Sequence, residues 1–299
     1  MNITKQSKNW QHGSSQVSVI MISLNEEHNM DAVLKNLSGW AYEVHLVDSC
    51  SQDNTIDIAL RYGVNIIQHR FNGFGDQWNF ALDNLPISTP WVMKLDPDER
   101  LTPELKKSID EMIKNDASDG IIIKRRLWFM GTVLPITQSI LRLWRTGTCH
   151  FTEVKVNEHP LVEGDIHYAD GYLEHHDSPH LDHWVVKQNK YTTTEAINQF
   201  HEGNLAVSPK LFGTSLERRI WLKKNFWKIP GRYIMLFLYH FLLLGAWRAG
   251  RIGWIWSHLR VEVYRLWEFK KIEMKHLNGI VKDIPAHAGD PDTRVRFYE

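Results

Sequence analysis

Two aspartates, Asp96 and Asp98, flank a single proline at the end of the apolar run Trp91–Leu95. In an extended chain alternate side chains project to one side, so the two carboxylates converge on one point. Unpaired, they repel each other, and a hard divalent cation such as Mg²⁺ or Mn²⁺, ligated by oxygen, resolves the repulsion. An ion held this way typically bridges a diphosphate and neutralises a leaving nucleotide. The D-x-D pattern alone is common on surface turns. Position singles this one out, because Asp48 closes a second apolar run, Val44–Val47, and is expected one strand away. Other polar clusters follow apolar runs too: Ser23-Leu24-Asn25-Glu26-Glu27 follows the first, and Ser49-Cys50-Ser51-Gln52-Asp53-Asn54-Thr55 continues from Asp48. Asp53 has two readings of equal standing, a ligand-facing acid and a turn or helix-cap residue. No G-x-G-x-x-G turn or P-loop follows the first run, which argues against a dinucleotide or P-loop fold.

The elements that must carry these clusters alternate. Val17–Leu24, Val44–Val47, Val64–Ile67, Trp91–Leu95 and Ile121–Ile123 are short apolar runs of strand type. Between them, Asn29–Leu37, Asp53–Tyr62 and Asp76–Leu85 have helical spacing, and Thr102-Pro103-Glu104 opens a further helix with a good N-cap, a first-turn proline and a dipole-matched acid. Such alternation predicts βαβ units and a mostly parallel α/β sheet, whose ligands bind at the carboxyl ends of the strands. From Trp128 to His176 the pattern turns to short mixed segments, expected to fold over the sheet, and Lys187–Phe200 is expected to be a helix.

Composition narrows the class. The chain has 299 residues, 43% hydrophobic and 23% charged, which excludes disordered and collagenous chains. Its two cysteines, Cys50 and Cys149, cannot build a disulfide framework and fit a reducing compartment. The polar stretch 1–16 has no apolar core, so no signal peptide is expected there, and no run reaches the roughly 18–20 apolar residues of a spanning helix.

The ordered set resembles glycosyltransferase family 2. It comprises Val17-x-Val19-Ile20 before Asn25-Glu26, Val47-Asp48-Ser49-x-Ser51-x-Asp53-x-Thr55, Gly73-x-Gly75 with Asn79, and Leu95-Asp96-x-Asp98-Glu99. Further on, Arg142-Leu143-Trp144-Arg145, Val156-Asn157-Glu158, Leu173-x-His175 and Asn189-x-Tyr191 resemble the lipopolysaccharide-core β-glucosyltransferase branch. That branch usually has Val-His-Glu where this chain has Val156-Asn157-Glu158, and Lys or Arg where this chain has Phe74.

The resemblance implies a GT-A fold, a Rossmann-like sheet flanked by helices, and an inverting, metal-dependent transfer of a sugar from a nucleotide donor, a UDP-sugar. By its terms Ser23, Asn25 and Glu26 surround base and ribose, Asp48 binds uracil or ribose with Ser51 nearby, and Gly75 and Asn79 belong to the donor loop. Asp96 and Asp98 hold an Mg²⁺ or Mn²⁺ ion and the sugar-diphosphate. Glu99 touches the donor sugar or orients the metal ligands. His175 faces the diphosphate or the metal, or else packs in the core. Glu158 is the candidate base for the acceptor hydroxyl, with Glu153, Asp165 and Glu99 as rivals. His175, His176, His180 and His183 crowd one stretch, but no cysteine lies near and the spacing is not that of a zinc site.

Between Glu217 and Lys275 stand 13 basic and 4 acidic residues, a net of +9, together with six of the 13 tryptophans. The apolar run Tyr233–Trp247 spans only about 22 Å as a helix, too short for an ordinary crossing. Trp221, Trp227, Arg232, Trp247, Arg251, Trp254 and Trp256 are expected at a membrane interface, where tryptophan favours the headgroups and cations favour anionic lipid. The expected organisation is a polar extension (1–16), a catalytic domain (17–212, with a nucleotide-sugar half 17–125 and an acceptor half 126–212), amphipathic helices (213–275) and a tail (276–299). The expected partners are a nucleotide-sugar, a lipid-linked saccharide and an anionic membrane surface, not nucleic acid. The expected place is the cytoplasmic side of the plasma membrane, held peripherally. A nucleotidyltransferase and a non-catalytic carbohydrate-binding subunit are the rival readings.

Overall fold

The structure is a computed structural model that describes residues 9–116, 118–152, 159–200, 221, 225–277, 279, 284–285 and 294–295. The chain divides into two units. One runs to Trp128 and resumes over Thr137–Pro179; the other takes Phe129–Ile136 and the chain from His180 onward.

The first unit is built on a sheet. Strands β1 (Val17–Ser23), β2 (Glu43–Asp48), β3 (Asn65–Gln68) and β4 (Trp91–Lys94) alternate with helices α1 (Glu27–Leu37), α2 (Thr55–Arg61) and α3 (Phe74–Asn84). Then come β5 (Glu99–Leu101), α4 (Pro103–Lys114), β6 (Gly120–Phe129), β7 (Thr132–Arg145), β8 (Cys149–Phe151), β9 (Pro160–Val162), β10 (Ile166–Tyr168) and β11 (Leu173–His176). The strand order is β3-β2-β1-β4-β7-β6-β11-β5, with β10 also on β6. Strands β1 to β4 pair in parallel, as the alternation requires, while β7 is antiparallel to β4 and β5 to β11.

Near-continuous apolar runs in β1, β2 and β4 follow from burial on both faces. Val17, Val19, Met21, Val44, Leu46, Trp91 and Met93 join one core, with Met30, Leu34, Leu105 and Ile109 from the helices. Ile20, Val47 and Val92, the alternating set, join a second core with Trp78 of α3, Trp144 and Phe151. Helix α4 starts as the sequence requires, with the Thr102 hydroxyl accepting from Leu105 N and proline in the first turn. The segment after Trp128 was expected to fold over the sheet. Instead β6 and β7, 10 and 14 residues long, enter the sheet itself, and Leu143 and Trp144 are fully buried. Their connection is Met130-Gly131, both at positive φ (49° and 71°), the geometry that suits the twist of a two-residue hairpin.

In the second unit α5 (Leu181–Phe200), longer than the sequence suggests, packs on the last long helix. Helix α6 (Arg232–Leu238) runs into a π-helical turn (Tyr239–Leu243), and a 3₁₀ turn (Ala246–Ala249) leads into α7 (Gly250–His276). Lys270 clamps α7 to α5 by donating to the Asn189 carbonyl and side-chain oxygen (2.6 and 2.7 Å) and to the hydroxyls of Thr192 (2.9 Å) and Thr193 (2.6 Å). Among the aromatic and basic residues expected at a membrane surface, Trp247, Arg251 and Trp254 are exposed and Trp221 is half-buried. Trp256, by contrast, is buried edge-on to His240, and Trp227 is half-buried beneath Lys271, 3.2 Å from its ring centroid. Arg232 is bound to both carboxylate oxygens of Glu268 at 2.7 Å. Helical periodicity alone did not separate the inward from the outward tryptophans. The expected boundary at 212 lies outside the described residues.

Candidate active site

The carboxyl ends of β1, β2 and β4 lie side by side, since Ser23 is in register with Asp48 and Leu95 N donates to Ile20 O. The first two ends are stitched together. Asn25 sits at φ 54°, its amide donating to Ser51 Oγ (2.9 Å) and its side-chain oxygen accepting from Gln52 N (2.8 Å). Glu26 N donates to Thr55 Oγ1 (2.7 Å), and Glu27 N donates to Asp53 Oδ2 (3.0 Å). Asp53 also accepts from the backbone and hydroxyl of Thr55, so its turn-and-cap reading accounts for its bonds. Cys50 is exposed at φ 65° on the same loop.

Asp48 is fully buried and accepts from Ser23 Oγ (2.9 Å), Ser51 N (2.8 Å), Ser51 Oγ (2.5 Å) and Gln68 Nε2 (3.3 Å). Four donors on one carboxylate fix the shape of the loop.

The D-x-D pair divides its work. Asp96 accepts from Arg142 Nη2 at 2.7 Å, and Asp98 meets His175 Nε2 at 3.1 Å. Burial alone would raise the Asp96 pKa, but Arg142 and Lys94 outweigh it and hold the carboxyl below the ordinary carboxylate range. Glu99 is fully buried: Oε1 accepts from Arg142 (2.5 Å) and Arg125 (3.3 Å), and Oε2 accepts from Asp96 N (3.1 Å). Its bonds orient Arg142 and the Asp96 backbone. Arg142 is thus the resident cation between Asp96 and Glu99. Burial opposes its charge, but the two acids keep its pKa above the ordinary arginine value. The resemblance marked Arg142 without giving it this task, although an arginine between Leu141 and Leu143 is already an unusual guest in a buried strand.

Register brings His175 to the site. Strand β11 lies between β6 and β5 and pairs His175 with Glu99, while His176 N donates to the Asp98 carbonyl (2.8 Å). His175 Nε2 is 3.9 Å from Asp177 Oδ1. Among the described residues, Asp98, His175 and Asp177 form the group of His, Cys, Asp and Glu whose ligand atoms all lie within 4.8 Å of one another. One imidazole nitrogen and two carboxylate oxygens fit an Mn²⁺- or Mg²⁺-class ion. Burial lowers the His175 pKa, but the Asp98 carboxylate dominates and raises it above the ordinary 6.5. Asp177 was missed in the sequence; its signal is the His-His-Asp run ending a strand. The other histidines part from this one: His176 stacks on Trp128 (4.9 Å), and His180 meets His183 edge-on in the second unit.

On the far face of β4, Lys94 is buried against Trp78 and Phe151, 4.4 and 5.0 Å from their ring centroids. Gly75 and Asn79 lie on α3 and both are buried. Asn79 holds the main chain of Phe151, donating to its carbonyl (3.0 Å) and accepting from its amide (2.8 Å). The next residue, Thr152, is bonded to His159 in both directions: Thr152 N to the His159 carbonyl (3.3 Å) and His159 N to Thr152 Oγ1 (3.2 Å). Glu158 and its rival Glu153 lie between them, outside the described residues; Asp165 is engaged by backbone bonds with Asp119.

The family model for glycosyl transferase family 2 matches residues 18–160. The lipopolysaccharide core biosynthesis glycosyltransferase LpsC of Rhizobium meliloti is 28% identical over 87% of this chain and 93% of its own length. An uncharacterized glycosyltransferase of Rickettsia typhi is 24% identical over 70% of this chain and 76% of its own. Among solved structures, the mannosyltransferase PcManGT from Pyrobaculum calidifontis, in complex with GDP-Man and Mn²⁺, is 15% identical with a TM-score of 0.49, over 89% of this chain and 90% of that one. The motif order, the α/β sheet with its carboxyl-end acids and the family match over 18–160 together mark this chain as similar to the family 2 glycosyltransferases of GT-A fold.

Proposed function

We propose that the protein moves a sugar, with inversion, from a nucleotide-sugar donor of the UDP class to a saccharide carried on lipid, at the cytoplasmic side of the plasma membrane. The observation that carries the reading is the Asp98–His175–Asp177 group, at the same end of the sheet as the loop that Asp48 locks. Similarity to LpsC supports a saccharide of the lipopolysaccharide core as acceptor.

In this reading Asp98, His175 and Asp177 hold an Mg²⁺ or Mn²⁺ ion, which supplies charge neutralisation for the departing diphosphate. The stitched loops at 23–27 and 48–55 bind the nucleoside, with Asp48 keeping them in shape rather than reorganising on binding. Arg142 keeps Asp96 ionised and in place beside the donor. The acceptor hydroxyl oxygen attacks the anomeric carbon as its bond to the diphosphate oxygen breaks. The hydroxyl proton passes to a carboxylate, the bonding electrons leave with the nucleoside diphosphate, and the anomeric configuration inverts. We assign that carboxylate to Glu158. Thr152 and His159, which bracket its segment in the sequence, are bonded to each other, and Phe151 is anchored by Asn79.

The test is Glu158→Gln. Transfer is expected to fall by at least about 10²-fold, the usual scale for a lost general base, with donor affinity unchanged. Near-normal turnover would remove Glu158 from the role.

A further inference from the structure

The second unit carries an apolar stripe with nothing in the described chain covering it. From Arg232 to Leu243 the inner side of the helix packs on α7: Phe237 meets His258 at 4.5 Å and His240 meets Trp256 at 5.2 Å. The outer side presents Ile234, Met235, Leu238 and Leu242, one helical face, and ends at Leu243. Ile234 is 68% exposed and Leu243 79%, values far from those of a finished protein surface. Beyond the bend at Gly245 (φ 77°), the Trp247 ring is exposed too.

No single helix among the described residues is long and apolar enough to cross a membrane. Arg232–Leu243 and Ala246–His276, bent by 69° at the break between them, have the length and apolar character of a span only when taken together. Twelve residues make a helix of about 18 Å, well short of a hydrocarbon core of about 30 Å. The stripe also runs the whole length of this helix, which suits lying in the interface rather than piercing it. Charge selects the surface. Between Glu217 and Glu262 the sequence has nine basic residues and no acidic one. Lys228, Arg248 and Arg251 are exposed at the two ends of the stripe.

We infer that the segment Arg232–Trp247 is a membrane anchor, lying flat in one leaflet of an anionic bilayer with Ile234, Met235, Leu238, Leu242 and Leu243 in the acyl boundary and Trp247 at headgroup level. The inference rests on the reading of a lipid-borne acceptor for its membrane, and it changes how that membrane is held. Anchoring is by apolar insertion, with the cations choosing the lipid. Trp256 and Trp227 serve the internal packing instead.

The experiment is flotation of the full chain with vesicles of phosphatidylglycerol and phosphatidylcholine at 0.1 and 0.5 M NaCl, alongside Leu238→Asp and Leu242→Asp. Both positions are exposed, so the fold is expected to persist by circular dichroism. Wild type is expected to stay bound at 0.5 M NaCl, and each substitution to weaken partitioning by about tenfold, the worth of one buried aliphatic side chain. The Trp247 fluorescence is expected to be quenched by brominated acyl chains. Release of the wild type at 0.5 M NaCl, or binding indifferent to both substitutions, overturns insertion and leaves only electrostatic adsorption. A concentration-dependent dimer that either substitution dissolves, without vesicle binding, overturns it in favour of a second copy on the stripe. Donor binding by the wild-type chain, read separately by thermal shift, distinguishes failure of the anchor from failure of the transferase reading.

Discussion

At the scale of single residues the site is a division of charge among three acids and one arginine. Arg142 sits between Asp96 and Glu99; if it goes, Asp96 loses its ion-pair partner and Glu99 keeps only Arg125 at 3.3 Å. Replacing it by Met is expected to destabilise the protein by about 3–5 kcal/mol, the cost of leaving buried charge uncompensated, and a fall in the unfolding midpoint measures it. His175 gives the pH dependence. Its pKa is raised by Asp98, so in the metal-free protein the His175–Asp98 pair contributes stability that is complete below the ordinary 6.5 and is lost as pH rises through the raised value. A metal ion held by this group would take the place of that proton. Mn²⁺ affinity, read by calorimetry, is therefore expected to climb through the same window and to fall on acidification. His175→Gln is expected to flatten that slope. Asp48, already satisfied by four donors, is expected to act through the shape of its loop.

At the scale of elements, helix α3 reaches across to β8 through Asn79. Asn79→Ala leaves the amide and carbonyl of Phe151 without their partners and is expected to cost about 1–3 kcal/mol. Transfer is expected to drop as well, because the same strand leads into the segment that carries Glu158; stability and turnover measured together check both. The parallel half of the sheet was legible because β1, β2 and β4 are buried on both faces and so announce themselves as unbroken apolar runs. The long hairpin β6–β7 was not. Its residues meet the core only in part, so Thr132–Arg145 alternates irregularly and hides a 14-residue strand. The chemistry followed the same rule. Asp48, Asp96 and Asp98 stand at or just past the ends of readable strands and so were legible as candidates, and His175 came from the family pattern. Asp177 had only the local His-His-Asp run to mark it, and the task of Arg142 arises where β7 brings it to Asp96 and Glu99, distant in sequence, which no local spacing encodes.

At the scale of the whole molecule, the zero net charge divides into two opposed parts. The segment from Glu217 to Lys275 carries +9, and the remaining 22 basic and 31 acidic residues sum to −9. The acidic remainder contains the carboxylates proposed to face the donor; the basic segment contains the apolar stripe proposed as the anchor. A chain so divided suits a reaction in which an anionic, metal-bound donor and a membrane-borne acceptor are recognised by different stretches of the polypeptide. The central claim is that this site binds a nucleotide-sugar through a metal, and thermal shift with a panel of nucleotide-sugars in Mn²⁺ or Mg²⁺ tests it most directly. One UDP-sugar is expected to raise the unfolding midpoint in the presence of the metal, with the effect lost in Asp98→Ala. No response to any nucleotide-sugar, or an equal response in Asp98→Ala and with the metal chelated, would contradict it.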